Sequence, residues 1–156
     1  MSREAVRREY DETAGDYDRE WASYVSATTR ETLRRLSLPA GAELLDVGCG
    51  TGALLNELRR LDAGRSLFGV DLSPRMLAEA TDKTEGEVPL SAAAAETLPF
   101  DENAFDVVVS CNAFHFFVHP RSFLEGARRV LRPGGRLVVT DWCDDYWACW
   151  ACDYYL

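Results

Sequence analysis

From about Asp16 to Leu36, Tyr17, Trp21, Tyr24, Val25, Thr28, Thr32, Leu33 and Leu36 recur at three- and four-residue spacing with arginine and glutamate between them. That period predicts an amphipathic helix. The segment SLPAGAE ends it, with Pro39 and Gly41 as breakers. Beyond it, short apolar runs alternate with amphipathic stretches. ELLDV, SLFGVDL, the weaker VPLSAA, AFDVVVSC and RLVVTDW have the length and β-branched character of strands. GALLNELRRL, SPRMLAEATDK and PRSFLEGARRVL have the helical period, the second with Ser73 as cap and Pro74 in its first turn. Strict alternation of strand and helix predicts a three-layer, Rossmann-like α/β fold with a parallel sheet of about five strands. The arginine pairs at 34/35, 59/60 and 128/129 lie beside acids on predicted helices and read as solvated faces.

With 156 residues the chain suits one domain. The pattern divides it into a helical cap (1–40), a core (41–142) and an aromatic tail (143–156). Apolar residues at 47% and charged residues at 28% are globular proportions. Lys and Arg number 17 against 26 Asp and Glu, a formal net charge of −9 that repels a phosphate backbone, so nucleic acid is not expected as a partner. The longest apolar run, VVVSCNAFHFFV, is too short and too interrupted to span a bilayer. Five cysteines, an odd number among apolar neighbours and behind no apolar leader, predict a reduced cytoplasmic setting.

The stretch LLDVGCGTG, residues 44–52, places three glycines on alternate positions directly after a strand and before a helix. In a sheet of this kind, ligands bind beyond the carboxyl ends of the strands where strand order reverses. Gly48 and Gly50 allow a close backbone approach there, and Gly52 lets the next helix start tightly. Asp71, at the end of the second strand, stands where an acid accepts hydrogen bonds from the hydroxyls of a ribose. Gly48, Gly50 and Ala53 also satisfy the dinucleotide fingerprint with Asp71 about twenty residues on, so a nicotinamide-dependent oxidoreductase competes on the loop alone.

Asp46, Gly52 and the later segments AETLPFDENAFDVVVS and VLRPGGRLVVTDW separate the two readings. With them, the sequence from about Tyr10 to Trp142 resembles the class I S-adenosylmethionine-dependent methyltransferases that act on small molecules. The resemblance implies methyl transfer from S-adenosyl-L-methionine to a small-molecule acceptor. The alternatives are the oxidoreductase and a non-catalytic cofactor-binding module. By the same resemblance Gly48, Cys49, Gly50 and Gly52 wrap the methionine end of the cofactor, Asp46 orients its amino group and Asp71 holds the ribose. Leu72 packs on the adenine, Ala95 and Glu96 border its edge, and Cys111 and Asn112 present backbone to the methionyl group. Tyr17 closes over the cofactor, or is a core aromatic of its helix. The family commonly has an Asp where this chain has Ala94, and Glu96 is the acid left to replace it.

A sulfonium methyl is already electrophilic, so alignment and exclusion of water carry most of the catalysis. A base is needed only for an acceptor that arrives protonated. His115, beyond the fourth strand, is the candidate, because imidazole titrates near neutrality; His119 belongs to the following turn.

In the tail DWCDDYWACWACDYYL, Trp142, Tyr146, Trp150 and Tyr154 share a helical stripe while Cys143, Trp147 and Tyr155 lie on other faces. This predicts a helix apolar all round and therefore buried. Cys149 and Cys152 form C-x-x-C with Cys143 upstream, which a metal or redox site would use, although packed thiols explain it better and no metal is expected. Proteins of the resembled family continue for two more strands, so the sheet reads as truncated after the fifth. That fifth strand would be an open edge beside an aromatic tail, and self-association through both is expected.

Overall fold

The computed structural model describes residues 2–36 and 38–141 with their side chains, and residues 150–154 by their backbone. Helices α1 (Arg3–Glu20) and α2 (Ala22–Arg35) precede β1 (Leu44–Val47), α3 (Ala53–Leu61), β2 (Leu67–Asp71), α4 (Pro74–Lys83) and β3 (Leu90–Ala92). Then come β4 (Phe105–Cys111), a single 3-10 turn (Phe114–Phe116), α5 (Pro120–Val130), β5 (Leu131–Asp141) and β6 (Trp150–Tyr154). The sheet order is β3-β2-β1-β4-β5-β6, with β1 to β5 parallel as predicted.

Both faces of the sheet are covered, and alternation along each strand divides the core in two. Leu45, Val47, Val108 and Leu137 pack with Phe123, Ala127 and Val130 of α5. Leu44, Val107, Val109 and Val138 pack with Leu54, Leu55 and Leu58 of α3. Gly69 sits where strand meets helix: a Cβ there would stand 2.6 Å from Leu90 and 2.8 Å from Leu55. Ser73 caps α4 as its sequence requires, its hydroxyl accepting from the Met76 amide at 3.1 Å.

Three expectations need correction. The N-terminal helix begins at Arg3, capped by Ser2, and bends at Trp21 into a second helix. The break follows from packing, because α1 lies on α4 whereas α2 lies mainly on α3 and β4. Among the arginine pairs, Arg129 does more than face solvent: it donates to the carbonyls of Leu98 (2.8 Å) and Phe100 (2.6 Å), fastening the LPF segment to α5. Arg59 likewise joins α3 to the turn after α4 through Glu85 and Glu87.

The third correction concerns the fifth strand, which is not an edge. Residues 150–154 form β6, antiparallel to β5 from Leu137↔Tyr154 to Asp141↔Trp150. The sheet therefore continues past the expected truncation, and the argument for self-association through an open β5 falls with it. These residues form a strand, not part of a helix; the period-3.6 stripe in the sequence is outweighed by the hydrogen-bonding row that β5 offers. Cys143, Cys149 and the remaining tail positions at 142, 146, 147 and 155 lie outside the described residues.

Candidate functional site

The carboxyl ends of β1, β2 and β4 meet at a cavity roofed by α1. Of the residues singled out in the sequence, Tyr17, Asp46, Gly48, Cys49, Gly50, Asp71, Leu72, Ala95, Glu96, Cys111 and Asn112 all line it. Gly52 does not. Its φ of +75° starts α3, and a Cβ there would stand 3.0 Å from that of Ala80, so it brings α3 against α4 rather than against a ligand.

Asp46 is 2% exposed, and its Oδ1 has no hydrogen-bond partner. Burial, reinforced by the charge of Asp71, pushes its carboxyl up to about 8. A buried acceptor left unsatisfied is costly in a native protein unless a ligand supplies the donor. A cationic amine beside it would supply both donor and charge.

Asp71 is differently placed. Oδ2 accepts from the Gly50 amide and Oδ1 from the Ser73 amide, each at 2.8 Å, and the Leu72 amide also bonds the carboxyl, which leaves acceptor capacity for a ligand hydroxyl among its roughly four lone-pair positions. Burial raises its carboxyl above the usual range, against the lowering effect of these amides. Gly50 has φ +52° and no protein atom within 4 Å of a built Cβ, an open position facing the cavity.

The two described thiols stay protonated near neutrality. Burial pushes Cys49 well above its ordinary value and Cys111 up to about 12. Asn112 adopts φ +62° and is clamped on both sides: its Oδ1 accepts from the Tyr24 hydroxyl at 2.9 Å, and its Nδ2 donates to Thr28 at 2.7 Å.

Several lining residues escaped the sequence reading, among them Tyr10, Thr51, Met76, Phe116 and Phe117. Tyr10 lies about two turns before Tyr17 on α1, and beginning the helix at Arg3 instead of Asp16 would have revealed it. Its ring packs against Tyr17 at 5.9 Å and edge-on to Phe116 at 5.2 Å. Polar contacts hold α1 in this position. Asp11 accepts from the Ser73 hydroxyl at 2.6 Å, Thr51 donates to Asp18 at 2.6 Å, Lys83 pairs with Asp18, and Arg3 pairs with Glu96 at 3.1 Å.

His115 does not line the cavity. It stands exposed in the 3-10 turn next to Phe116, with Nδ1 2.5 Å from Asp141 Oδ1 and its own amide donating to Asp141 Oδ2 at 2.8 Å. Asp141 ends β5, so two neighbouring strand ends fix the ring.

Residues 45–139 match the family described as methyltransferase domain. The chain belongs to this family. Over 113 residues it is 36% identical to the demethylmenaquinone methyltransferase of Tropheryma whipplei, covering 72% of this chain and 46% of that protein. The methyltransferase solved in complex with the Haloferax volcanii Trm112 methyltransferase activator superposes with a TM-score of 0.76 at 30% identity, over 85% of this chain and 60% of that one. Phosphoethanolamine N-methyltransferase 2 of Haemonchus contortus, solved with S-adenosylhomocysteine, superposes at 0.67 with 27% identity, over 72% and 27% respectively. The chain spans about half the length of the curated relatives it matches, or less. The oxidoreductase reading receives no support from these similarities. Among the described residues no helix is long and apolar enough to cross a membrane.

Proposed function

We propose that the chain binds S-adenosyl-L-methionine in the cavity under α1 and transfers its methyl group to a small-molecule acceptor. The observation that carries this reading is the unpaired, buried Oδ1 of Asp46, on the same cavity as the Asp71 carboxylate. An amine and a ribose diol on one ligand answer both. When bound, the cofactor supplies a methyl group already activated on a sulfonium.

The protein's own residues bind and orient. Asp46 takes the amino group, Asp71 the ribose, and the open backbone at Gly50 admits the ligand closely. Leu72, Met76 and the alanines at 93–95 form the apolar end of the cavity, suited to a flat base. Tyr10 and Tyr17 on α1 exclude water above it, with residues 1–40 serving as the cap. Free thiols at Cys49 and Cys111 suit a reduced cytoplasmic setting.

For an acceptor that arrives protonated, His115 is the candidate base: it stands outside the cavity, in the turn beside Phe116, which lines it. Asp141 engages Nδ1 and leaves Nε2 to take the proton, the orienting role of a carboxylate behind an imidazole. His115→Ala is expected to lower kcat by about 100-fold or more for such an acceptor and to leave turnover of an acceptor that arrives already deprotonated unchanged. Calorimetry should show cofactor affinity unchanged in the same variant. Wild-type turnover of the protonated acceptor by His115→Ala would move the base elsewhere.

The cofactor reading is tested by titration with S-adenosylhomocysteine and with NAD, where binding of NAD alone refutes it. Asp71→Ala should weaken S-adenosylhomocysteine by about 1 to 3 kcal/mol, the range for lost charge-assisted hydrogen bonds. Equal affinity would place the ribose away from β2. Binding without turnover across a broad acceptor screen would favour the non-catalytic module.

A further inference from the structure

The segment that follows β4 is held from two sides. On one side stands β5: the Asn112 amide donates to the Thr140 carbonyl at 2.7 Å, and the His115 amide and Nδ1 both engage the Asp141 carboxylate. On the other stands α2. The Tyr24 hydroxyl donates to Asn112 Oδ1 at 2.9 Å, and Asn112 Nδ2 donates to the Thr28 hydroxyl at 2.7 Å. Thr28 gives its own proton to the Tyr24 and Val25 carbonyls of its helix, so toward Asn112 it can only accept, which fixes the orientation of the side-chain amide. One turn further along α2, the buried hydroxyls of Thr32 and Thr140 meet at 2.7 Å and tie the helix to the same end of β5.

Asn112 is where the chain turns. Its φ of +62° is left-handed, a conformation asparagine tolerates better than most side chains, and it leads the chain out of β4 toward the 3-10 turn Phe114–Phe116. His115 stands in that turn, exposed, its ring 3.9 Å from that of Phe116. An exposed ring has little packing to hold it, so its place depends on the backbone beneath.

We propose that Asn112 is a positioning residue for the His115–Asp141 dyad: through Tyr24 and Thr28, α2 sets the turn that brings the imidazole to the carboxylate. The inference rests on the reading of His115 as the candidate base and names what holds that base in place. It also gives α2 a role distinct from that of α1, which roofs the cavity.

The test reads the dyad in the full chain with no ligand added. The protein holds two histidines, so nitrogen NMR separates their imidazoles, with His119→Gln as the assigning variant. In alkaline buffer, where an imidazole is neutral, Asp141 should hold His115 in the Nδ1–H tautomer. Asn112→Gly keeps the left-handed backbone and removes both side-chain contacts, whereas Tyr24→Phe and Thr28→Val each remove one. In Asn112→Gly the His115 ring is expected to become a mixture of tautomers, and the His115 amide to exchange with solvent about tenfold faster, the loss of roughly one hydrogen bond of local protection. The amides of β1 should keep their rates. Tyr24→Phe and Thr28→Val should shift both signals in the same direction by less.

Unaltered tautomer and amide exchange in Asn112→Gly would show that β5 holds the dyad alone, and overturn the proposal. A uniform rise in exchange across all strands would overturn it too, because Asn112 would then support the whole fold and not the dyad. Should Thr28→Val not fold, the other two variants decide. Turnover by His115→Ala tests the base reading separately, since the signals here are read without acceptor or cofactor.

Discussion

Asp46→Asn is expected to flatten the pH dependence of S-adenosylhomocysteine binding and to stabilise the ligand-free protein above about pH 4. Both effects follow from one buried carboxyl. In the free protein, burial and the neighbouring Asp71 hold Asp46 protonated up to about pH 8. Pairing with the ligand's amine requires the ionised form, so binding at pH 7 must release a proton, and affinity should climb by up to about tenfold per pH unit between pH 6 and 8. Calorimetry at pH 7 in buffers of different ionisation enthalpy should count close to one proton released by the unaltered chain and none by the variant. At pH 8 the variant should also bind more weakly by about 3 kcal/mol, the cost of removing one partner from a buried ion pair.

The stability effect has the opposite sign. A carboxyl whose folded value lies above its unfolded value contributes stability that is complete below the unfolded value, about 4, and is lost as pH rises through about 8. Asparagine does not titrate, so the difference between variant and parent should grow from near zero at pH 4 to something on the order of a few kcal/mol at pH 8. Urea denaturation across that range measures it. Parallel curves for the two proteins would mean that Asp46 ionises normally in the fold. A side chain that weakens the free protein and strengthens the complex is a recurrent feature of binding sites.

What could be read in the sequence divides along physical lines. The strands and helices from Leu44 to Asp141 were legible because each apolar run has one period and one length, and because Ser73 and Pro74 mark the start of α4. The residues around the cavity were legible because strand ends are fixed once the strands are. The roof was not. Tyr10 reaches the cavity only because α1 lies across α4, a packing set by Asp11, Asp18 and Arg3 through contacts distant in sequence. The dyad shows the same limit. His115 drew attention as a lone imidazole, yet its partner Asp141 lies 2.5 Å away only because β4 and β5 are neighbours. Residues 150–154 misled in the other direction, since an aromatic stripe carries helical and extended readings at once and the row offered by β5 decides between them.

Two glycines of the same loop should respond to substitution in opposite ways. At Gly50 a side chain meets empty cavity, and at Gly48 it meets protein: a Cβ there would stand 2.4 Å from the Cβ of Ala113, far inside van der Waals contact. Both residues have positive φ, +52° and +74°, which costs a non-glycine residue about 1 to 3 kcal/mol regardless of space. Gly50→Val should therefore remain folded with that modest loss and bind S-adenosylhomocysteine too weakly to detect, because the isopropyl group occupies the ligand's approach. Gly48→Ala adds the clash to the strain. The loop must move away from the segment that follows β4, the segment that also carries Asn112 and His115, and the variant should lose about 3 kcal/mol or more of stability. Denaturation midpoints and ligand titration on both variants separate the two effects. A Gly50→Val protein that binds normally would exclude the cavity under α1 as the cofactor site, whatever the fate of Gly48→Ala.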